Sequence, residues 1–594
     1  MTRTPLRPLA RILQARARGE NPDAIERENI RIRHERMRDR MRLRAESRLV
    51  VLALAFVMMF GAAGARMAVL ASTEAEEPRA GGVGPAILAT RADITDRNGR
   101  ILATNLVTSS LYAQPPLMID PERAARELAE IFPDLEEETL RKQFTGKRKF
   151  LWIKKKLSPE QQQGVHDIGE PGLLFGPREM RLYPNGRLAA HVLGGAGFGR
   201  EGVHSAEVIG VAGIEKALDV QLRDPARGGT PLRLSLDLTV QAAARRVLEG
   251  GMKIMNAKGA TAILMDVRTG ELVSLVSLPD FDPNDRPVPL LKGDPSDSPL
   301  FNRAVQGRYE LGSTFKIFAV AQALEEGIAT PQTMVSTQGP LRWGKYRIND
   351  FHNFGKELSV TEVIVKSSNI GTARLAQQIG ATRQRAFLDR LGLLQPVPVE
   401  LVEAPAIHPL LPGNWSELSA MTISYGHGLS ASPLHLAAAY AALVNGGTRV
   451  TPTLLHEAGR AVPGERVISA ETSRVVRGML RQVVQRGTAS FAEVPGYAVG
   501  GKTGSADKPR PQGGYYEDKV IATFASVFPA HDPAYVLVVT LDEPNITALG
   551  ETRRTAGWTA VPVSAEIIRR VAPLLDMRPE IEPGDGFGVR LTGN

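Results

Sequence analysis

A serine and a lysine three residues apart, in Ser313-Thr314-Phe315-Lys316, form the first pair in this chain with the types and spacing for covalent chemistry. At a helix start, the i, i+3 spacing puts both on one face. There a desolvated, neutral amine at Lys316 can take the hydroxyl proton of Ser313 and leave a nucleophile. A second element, Ser367-Ser368-Asn369, follows 54 residues after Ser313. On a loop between helices it would lend the Ser367 hydroxyl to a proton relay and the Asn369 amide to a substrate carbonyl. The third, Lys502-Thr503-Gly504-Ser505, comes 133 residues after Asn369, behind Gly500-Gly501 on an expected strand. Lys502 suits a carboxylate, the hydroxyls of Thr503 and Ser505 would orient it, and Gly504 lets a substrate backbone approach the strand edge. Singly, each has an ordinary explanation: Ser and Asn cap helices, and Ser505-Ala506-Asp507-Lys508 repeats the first pattern. The signal lies in all three occurring in this order, each in a fitting context.

Other chemistries lack their residues. The chain has no cysteine, which excludes a thiol nucleophile, a disulfide framework and thiolate metal sites. Its ten histidines include no H-E-x-x-H pair, so no metal is expected, and His427 reads as a residue that packs or that supports the site from behind. Gly194–Gly199 lacks a Walker lysine and a following helix, so nucleotide binding is not expected.

The elements that must position these residues follow from periodicity. Ala260–Val267 and Glu271–Leu278 read as a hairpin, and Ser313–Gln322 as a helix. Ser359–Ile379 reads as helical with Ser/Asn interruptions, and Pro433–Val444 as an Ala-rich helix closed by Asn445-Gly446-Gly447. Tyr497–Thr503, Ile521–Phe528 and Tyr535–Leu541 read as adjacent strands before a helix over Ala560–Leu574. A hairpin first, helices in the middle, then strands and a helix describe an α/β domain whose sheet is closed by both ends of its chain segment. Upstream, residues 91–244 show a turn at Asp96-Arg97-Asn98-Gly99, an amphipathic helix over Pro121–Ile131 and a basic stretch, Arg141–Lys156, that reads as a solvated face.

The net charge of +9 is concentrated at one end, because residues 1–48 hold fourteen arginines against seven acids. A nearly neutral remainder removes the case for nucleic-acid binding. Beside the basic arm lies Leu49–Ala65, seventeen residues without a charge, and Met67–Ala71 extends it past Arg66. Seventeen residues reach about 26 Å and the extended run about 34 Å, which brackets a hydrocarbon core of about 30 Å. The long leader fits an uncleaved anchor rather than a signal peptide, and its arginines place the N-terminus in the cytoplasm. Residues 72–90 read as a linker.

S-x-x-K, S-x-N and K-T-G in this order resemble the active-site motifs of penicillin-binding proteins and serine β-lactamases. The flanks Asn302-Arg303-Ala304, Tyr309-Glu310-Leu311-Gly312-Ser313, Lys366-Ser367-Ser368-Asn369-Ile370-Gly371 and Ser424-Tyr425-Gly426-His427-Gly428 resemble the class B transpeptidase domain. Asp96-Arg97-Asn98-Gly99 and Gly213-Ile214-Glu215 resemble the pedestal of that class. The arginine arm and the Ser-Ser-Asn-Ile-Gly segment are most similar to its division-specific, FtsI-type branch. Leu311 stands where many members have proline, and Ser505 where threonine is commoner.

The resemblance implies an α/β transpeptidase fold of the penicillin-binding-protein and serine β-lactamase type, preceded by a mixed α+β pedestal and one transmembrane helix. The expected divisions are an arm (1–48), anchor (49–71), linker (72–90), pedestal of dimerisation type (91–244), transpeptidase domain (245–577) and mobile tail (578–594). It also implies D,D-transpeptidation of peptidoglycan stem peptides ending in D-Ala-D-Ala, with β-lactams as covalent inhibitors. Ser313 would be the nucleophile and Lys316 its base, with Ser367 and Lys502 in the proton relay. Asn369 would orient the peptide; Lys502, Thr503 and Ser505 would hold the terminal carboxylate; and the amides of Ser313 and Ser505 would hold the oxyanion beside Gly504. The implied setting is the bacterial inner membrane with a periplasmic catalytic domain, beside an FtsW-type polytopic glycosyltransferase and other division proteins. Gly61 and Ala65 form a small-xxx-small pair suited to close packing with such a partner's helix. An elongation-specific transpeptidase, a membrane-anchored β-lactam sensor or β-lactamase, and an inactive division scaffold are the alternatives.

Overall fold

The computed structural model describes residues 13–19, 27, 31, 48–68, 91–201, 206–457, 464–510, 513–548 and 550–580. It divides into two units, 1–79 and 80–594. In the first, Arg48–Ala68 is a continuous 21-residue helix whose most apolar 18-residue stretch has mean hydropathy 2.1 and is unburied, long and apolar enough to cross a membrane. Nearly all of the expected arm, the linker 72–90, the end of the anchor (69–71) and 581–594 lie outside the described residues.

In the second unit the catalytic sheet starts from two runs that are apolar along almost their whole length, Gly259–Asp266 (β1) and Leu272–Leu278 (β2). Strands like these are stable only when both faces are covered. The turn between them is set by Asp266, whose Oδ1 accepts from Arg268 N at 2.8 Å and Thr269 N at 2.9 Å, and by Gly270 at φ 77°. Gly500–Pro509 (β3), Tyr515–Phe528 (β4) and Tyr535–Asp542 (β5) complete an antiparallel sheet of order β3-β4-β5-β1-β2. The strands from the two ends of the domain thus meet at β5–β1, and β3 is left as an edge.

Helix α1 (Leu238–Ile254) begins at Asp237, whose side chain accepts from Thr239 N and Val240 N. It packs on β2 and on α8 (Ala560–Val571), which Pro573 ends short of the expected Leu574. Between these elements run α2 (Lys316–Glu325), α3 (Val360–Val365), α4 (Asn369–Ile379), α5 (Glu417–Ser424), α6 (Pro433–Val444) and α7 (Ala470–Arg486). Buried α6 lies against β1 and β5, capped by Ser432 and reciprocally by His435.

Ahead of the sheet, the thirteen-residue strand Ile101–Ala113 pairs with Leu173–Leu182 and Leu151–Leu157, and three helices build a separate small core on it. At its other end Ile94, Leu102, Tyr183 and Ile214 join the same buried cluster as the catalytic sheet. The Asp96–Gly99 turn is tied there too, since Asp96 Oδ2 accepts from Leu238 N, the first residue of α1. Glu215 is fully buried between Arg91 at 2.6 Å and Arg181 at 2.7 Å. The expected division at 244/245 falls inside α1, which packs mainly on β2 and α8 but also donates from Gln241 to Leu188 O at 3.0 Å in the region ahead of the sheet. Periodicity could not show this, because the helix begins without a glycine or proline break.

Candidate active site

Ser313 sits in a 3-10 turn, Gly312–Phe315, that leads into α2; the helix starts at Lys316, three residues later than the pattern predicts. The turn is pinned from below by Tyr440 of α6, whose hydroxyl donates to Thr314 O at 2.7 Å. Gly312 has φ 55°, and a Cβ there would lie 2.8 Å from Ser505 O and 3.2 Å from Ser505 N. On the opposing strand a Cβ at Gly504 would lie 2.2 Å from Leu311 O, and one at Gly426 would lie 1.9 Å from Gly312 O. Three glycines therefore bring the nucleophile turn, the edge strand β3 and the Tyr425–Gly428 loop into backbone contact, with the Ser505 backbone against Gly312, the residue before Ser313.

The expected helical run over 359–379 is broken at the second motif. Helix α3 ends at Lys366, and Ser367 takes φ 64°, a left-handed conformation that few non-glycine residues adopt. This turns its side chain toward two amines. Lys316 Nζ donates to Ser367 O at 2.5 Å and to Ser367 Oγ at 2.9 Å; Lys502 Nζ donates to the same Oγ at 3.0 Å and to Thr503 O at 3.2 Å. Among the described residues the Lys316 amine has no hydrogen bond to Ser313; its polar contacts are to Ser367.

Both amines are fully buried. Burial, with a smaller push from Lys502 and opposed by Asp350, drives Lys316 well below the ordinary lysine range, and burial alone brings Lys502 down to about 7. A neutral amine has two N–H groups and one lone pair. In that form both N–H groups of Lys316 would be used on Ser367 and the lone pair would be left for a neighbouring hydroxyl.

Ser368 and Asn369 divide the two explanations open to them. Ser368 is a true helix cap, accepting from Gly371 N at 2.9 Å and donating to Asp350 Oδ2 at 2.7 Å. Asp350 Oδ1 takes the amides of Asn369 and Ile370, and Asn369 Nδ2 donates to Asn349 O at 2.9 Å. The Asn369 side chain is thereby fixed at the first turn of α4. Asp350 carries no motif and was not foreseen.

The third motif lies on β3, which starts at Gly500 and not at Tyr497. Lys502 faces Ser367; on the other face of the strand Thr503 Oγ1 shares a 2.7 Å hydrogen bond with Thr488, and Ser505 Oγ accepts from Ala556 N at 2.9 Å. Thr488 too was not foreseen. The competing Ser505-x-x-Lys508 match is dispersed by the strand: Lys508 pairs with Asp542 at 2.8 Å and Glu543 at 2.7 Å. Gly195–Glu201 forms a two-stranded ribbon with Ala206–Ala212. Among the described residues no three His, Asp or Glu side chains are grouped to hold a metal ion.

Comparison with known proteins agrees with this arrangement. Residues 260–569 match the penicillin binding protein transpeptidase domain, and residues 86–229 match the penicillin-binding protein dimerisation domain. The chain is 35% identical over 513 residues to the probable peptidoglycan D,D-transpeptidase FtsI of Caulobacter vibrioides, covering 84% of each. It is 28% identical to peptidoglycan D,D-transpeptidase FtsI of Escherichia coli K12, covering 84% of this chain and 88% of that one. Among solved structures, penicillin binding protein 3 of Mycobacterium tuberculosis complexed with aztreonam superposes with a TM-score of 0.62 at 26% identity, covering 83% of this chain and 98% of that one. With both domains matched in order and a relative aligned over most of its length, the chain belongs to the class B penicillin-binding proteins.

Proposed function

We propose that this chain is a serine-type peptidoglycan D,D-transpeptidase of the FtsI type, acting in septal wall synthesis. The observation that carries the reading is the buried Lys316–Ser367–Lys502 network beside the turn bearing Ser313. The Lys316 lone pair takes the Ser313 proton as Oγ attacks the penultimate D-Ala carbonyl, and the amides of Ser313 and Ser505 hold the oxyanion. The C–N bond then breaks. Ser367 Oγ accepts from both lysines and keeps its own proton to give to the departing D-Ala amine, Lys502 or Lys316 replacing it. An amine of a second stem peptide loses its proton along the same path and displaces Ser313, so one amide is exchanged for another with no cofactor. Asn369 orients the donor peptide, and the hydroxyls of Thr503 and Ser505 bind its terminal carboxylate, while Lys502 stays in the relay with Ser367.

The division between a pedestal ending near residue 230 and a transpeptidase domain beginning with α1 belongs to this proposal, as do a cytoplasmic arginine arm, a periplasmic catalytic domain and an FtsW-type glycosyltransferase beside the anchor. The test is to incubate the purified full chain with a peptide ending in D-Ala-D-Ala and an excess of a D-amino acid. Release of D-Ala with formation of the exchanged amide, lost in Ser313→Ala, is expected. Rapid turnover of penicillin would favour a β-lactamase, and absence of both reactions a scaffold. A fluorescent fusion on the sidewall rather than at midcell would replace the septal assignment with an elongation role.

A further inference from the structure

Two arginines outside the catalytic cleft carry buried nitrogens that no acceptor answers. Arg181, on Leu173–Leu182, is 5% exposed. Its Nε donates to Glu215 Oε1 at 2.7 Å and its Nη1 to Asn105 Oδ1 at 3.1 Å, but its Nη2 is buried without a hydrogen-bond partner among the described residues. Arg286, on the loop after β2, has its Nε in the same condition, and the carboxylate of Glu403 acts on it only through space. A buried N–H without an acceptor is costly, and where one persists in a folded protein it points to a group that supplies the acceptor.

Both arginines line one half-enclosed cavity of about 130 Å³, at the seam between the strands ahead of the catalytic sheet and the loop after β2. Exposed Lys156, on Leu151–Leu157, adds a third cation, and Tyr183, Phe198 and Asn284 form much of the remaining wall. No carboxylate lines the cavity. Those nearby are engaged elsewhere: Glu215 by Arg91 and Arg181, Glu403 by Asn302 at 3.0 Å, and Asp282 by the Asn284 backbone and side chain at 2.9 and 2.8 Å. The seam itself is held in register, since Tyr183 N donates to Asn284 Oδ1 and Asn284 Nδ2 to Tyr183 O, both at 2.9 Å. Arg286 is laid beside it over Gly195, where a Cβ would come within 3.3 Å of Arg286 Cδ, and its guanidinium stands 5.6 Å from the Phe281 ring.

Three cations around a small space without an anion set the charge of what fits there. A cavity well under the roughly 300 Å³ at which ordinary ligand pockets begin takes one acid group, not a sugar or a nucleotide. A phosphate carries between about −1.5 and −2 charges at pH 7 and three acceptor oxygens, more than the single charge and two oxygens of a carboxylate, so it answers more of the unmatched charge and reaches both orphaned nitrogens. We propose that Arg181, Arg286 and Lys156 form a phosphate-binding site, in which the bound group bridges the loop after β2 to the strands ahead of the sheet. Free phosphate and the phosphomonoester head of a lipid share this chemistry, and the experiment separates them.

The full chain in a nonionic detergent is titrated calorimetrically with inorganic phosphate at pH 7 and constant ionic strength, in a buffer without other oxyanions. One site per chain with a dissociation constant of about 1 mM is expected. Arg286→Gln should weaken it about tenfold, the scale of one lost charge-assisted hydrogen bond, and Lys156→Gln, at an exposed position where folding is not at stake, about threefold. Lys147→Gln removes the same charge from the same basic stretch but outside the cavity, and should leave the affinity unchanged. Acetate should bind about tenfold more weakly than phosphate. Dihexanoyl phosphatidic acid bound more tightly than inorganic phosphate, with the same loss in Arg286→Gln, would assign the site to a lipid head group, and weaker binding would assign it to the free ion. Absence of saturable binding, full affinity in both Arg286→Gln and Lys156→Gln, an equal loss in Lys147→Gln, or acetate bound as tightly as phosphate would each overturn the proposal.

Discussion

Ser367 joins backbone strain and chemistry in one residue, and two substitutions separate them. At φ 64° it occupies a region that costs an L-residue about 1–2 kcal/mol, whereas glycine enters it freely at a cost of about 0.5–1 kcal/mol in extra chain entropy. Ser367→Gly should therefore be more stable than Ser367→Ala by about 1 kcal/mol. Both remove the oxygen that accepts from Lys316 at 2.9 Å and Lys502 at 3.0 Å. Two hydrogen bonds of about 1 kcal/mol each, lost from the transition state, predict an acylation rate about thirtyfold lower in both variants. Stopped-flow acylation with a fluorescent penicillin gives the rate, and urea unfolding ranks the stabilities. Equal stability of the two variants would refute the strain argument; normal acylation in either would refute the relay.

Lys316→Met keeps the length of a fully buried side chain but removes the amine, so acylation should fall by about a thousandfold, while melting is unchanged or improved because no desolvated amine remains. Lys502, brought down to about 7 in the fold from 10.5, binds fewer protons folded than unfolded between those values. Stability should consequently rise with pH across that window, with the penalty complete below about 7, and Lys502→Met should flatten the rise in urea titrations. Gly504→Ala would press a methyl to 2.2 Å from Leu311 O, costing at least about 2 kcal/mol and abolishing acylation; an active, stable variant would show that the strand and turn do not need this approach.

The sequence carried the chemistry better than the connections between its parts. Ser313, Lys316, Ser367 and Lys502 were readable because each motif is local, and apolar runs such as 260–267 announced buried strands. The partner of Lys316 was not readable: its contact with Ser367 spans 51 residues and depends on a positive φ that no residue type announces. Asp350 and Thr488 are likewise joined to the site only by the fold. The start of β3 was misplaced because Gly500 and Gly501 have poor strand propensity, yet they pair with Val527 and Ser526, and sheet context outweighs propensity. Helix α1 was divided at residue 244 for a similar reason, its N-terminus being fixed by Asp237 and by a contact from Asp96, over 140 residues away.

The central claim is that Ser313 is the residue acylated. Peptide mass spectrometry of the full chain after reaction with penicillin tests it directly. The account predicts one penicilloyl group on Ser313, present in wild type and absent in Ser313→Ala, whereas a group on Ser505, or one that persists in Ser313→Ala, would contradict it.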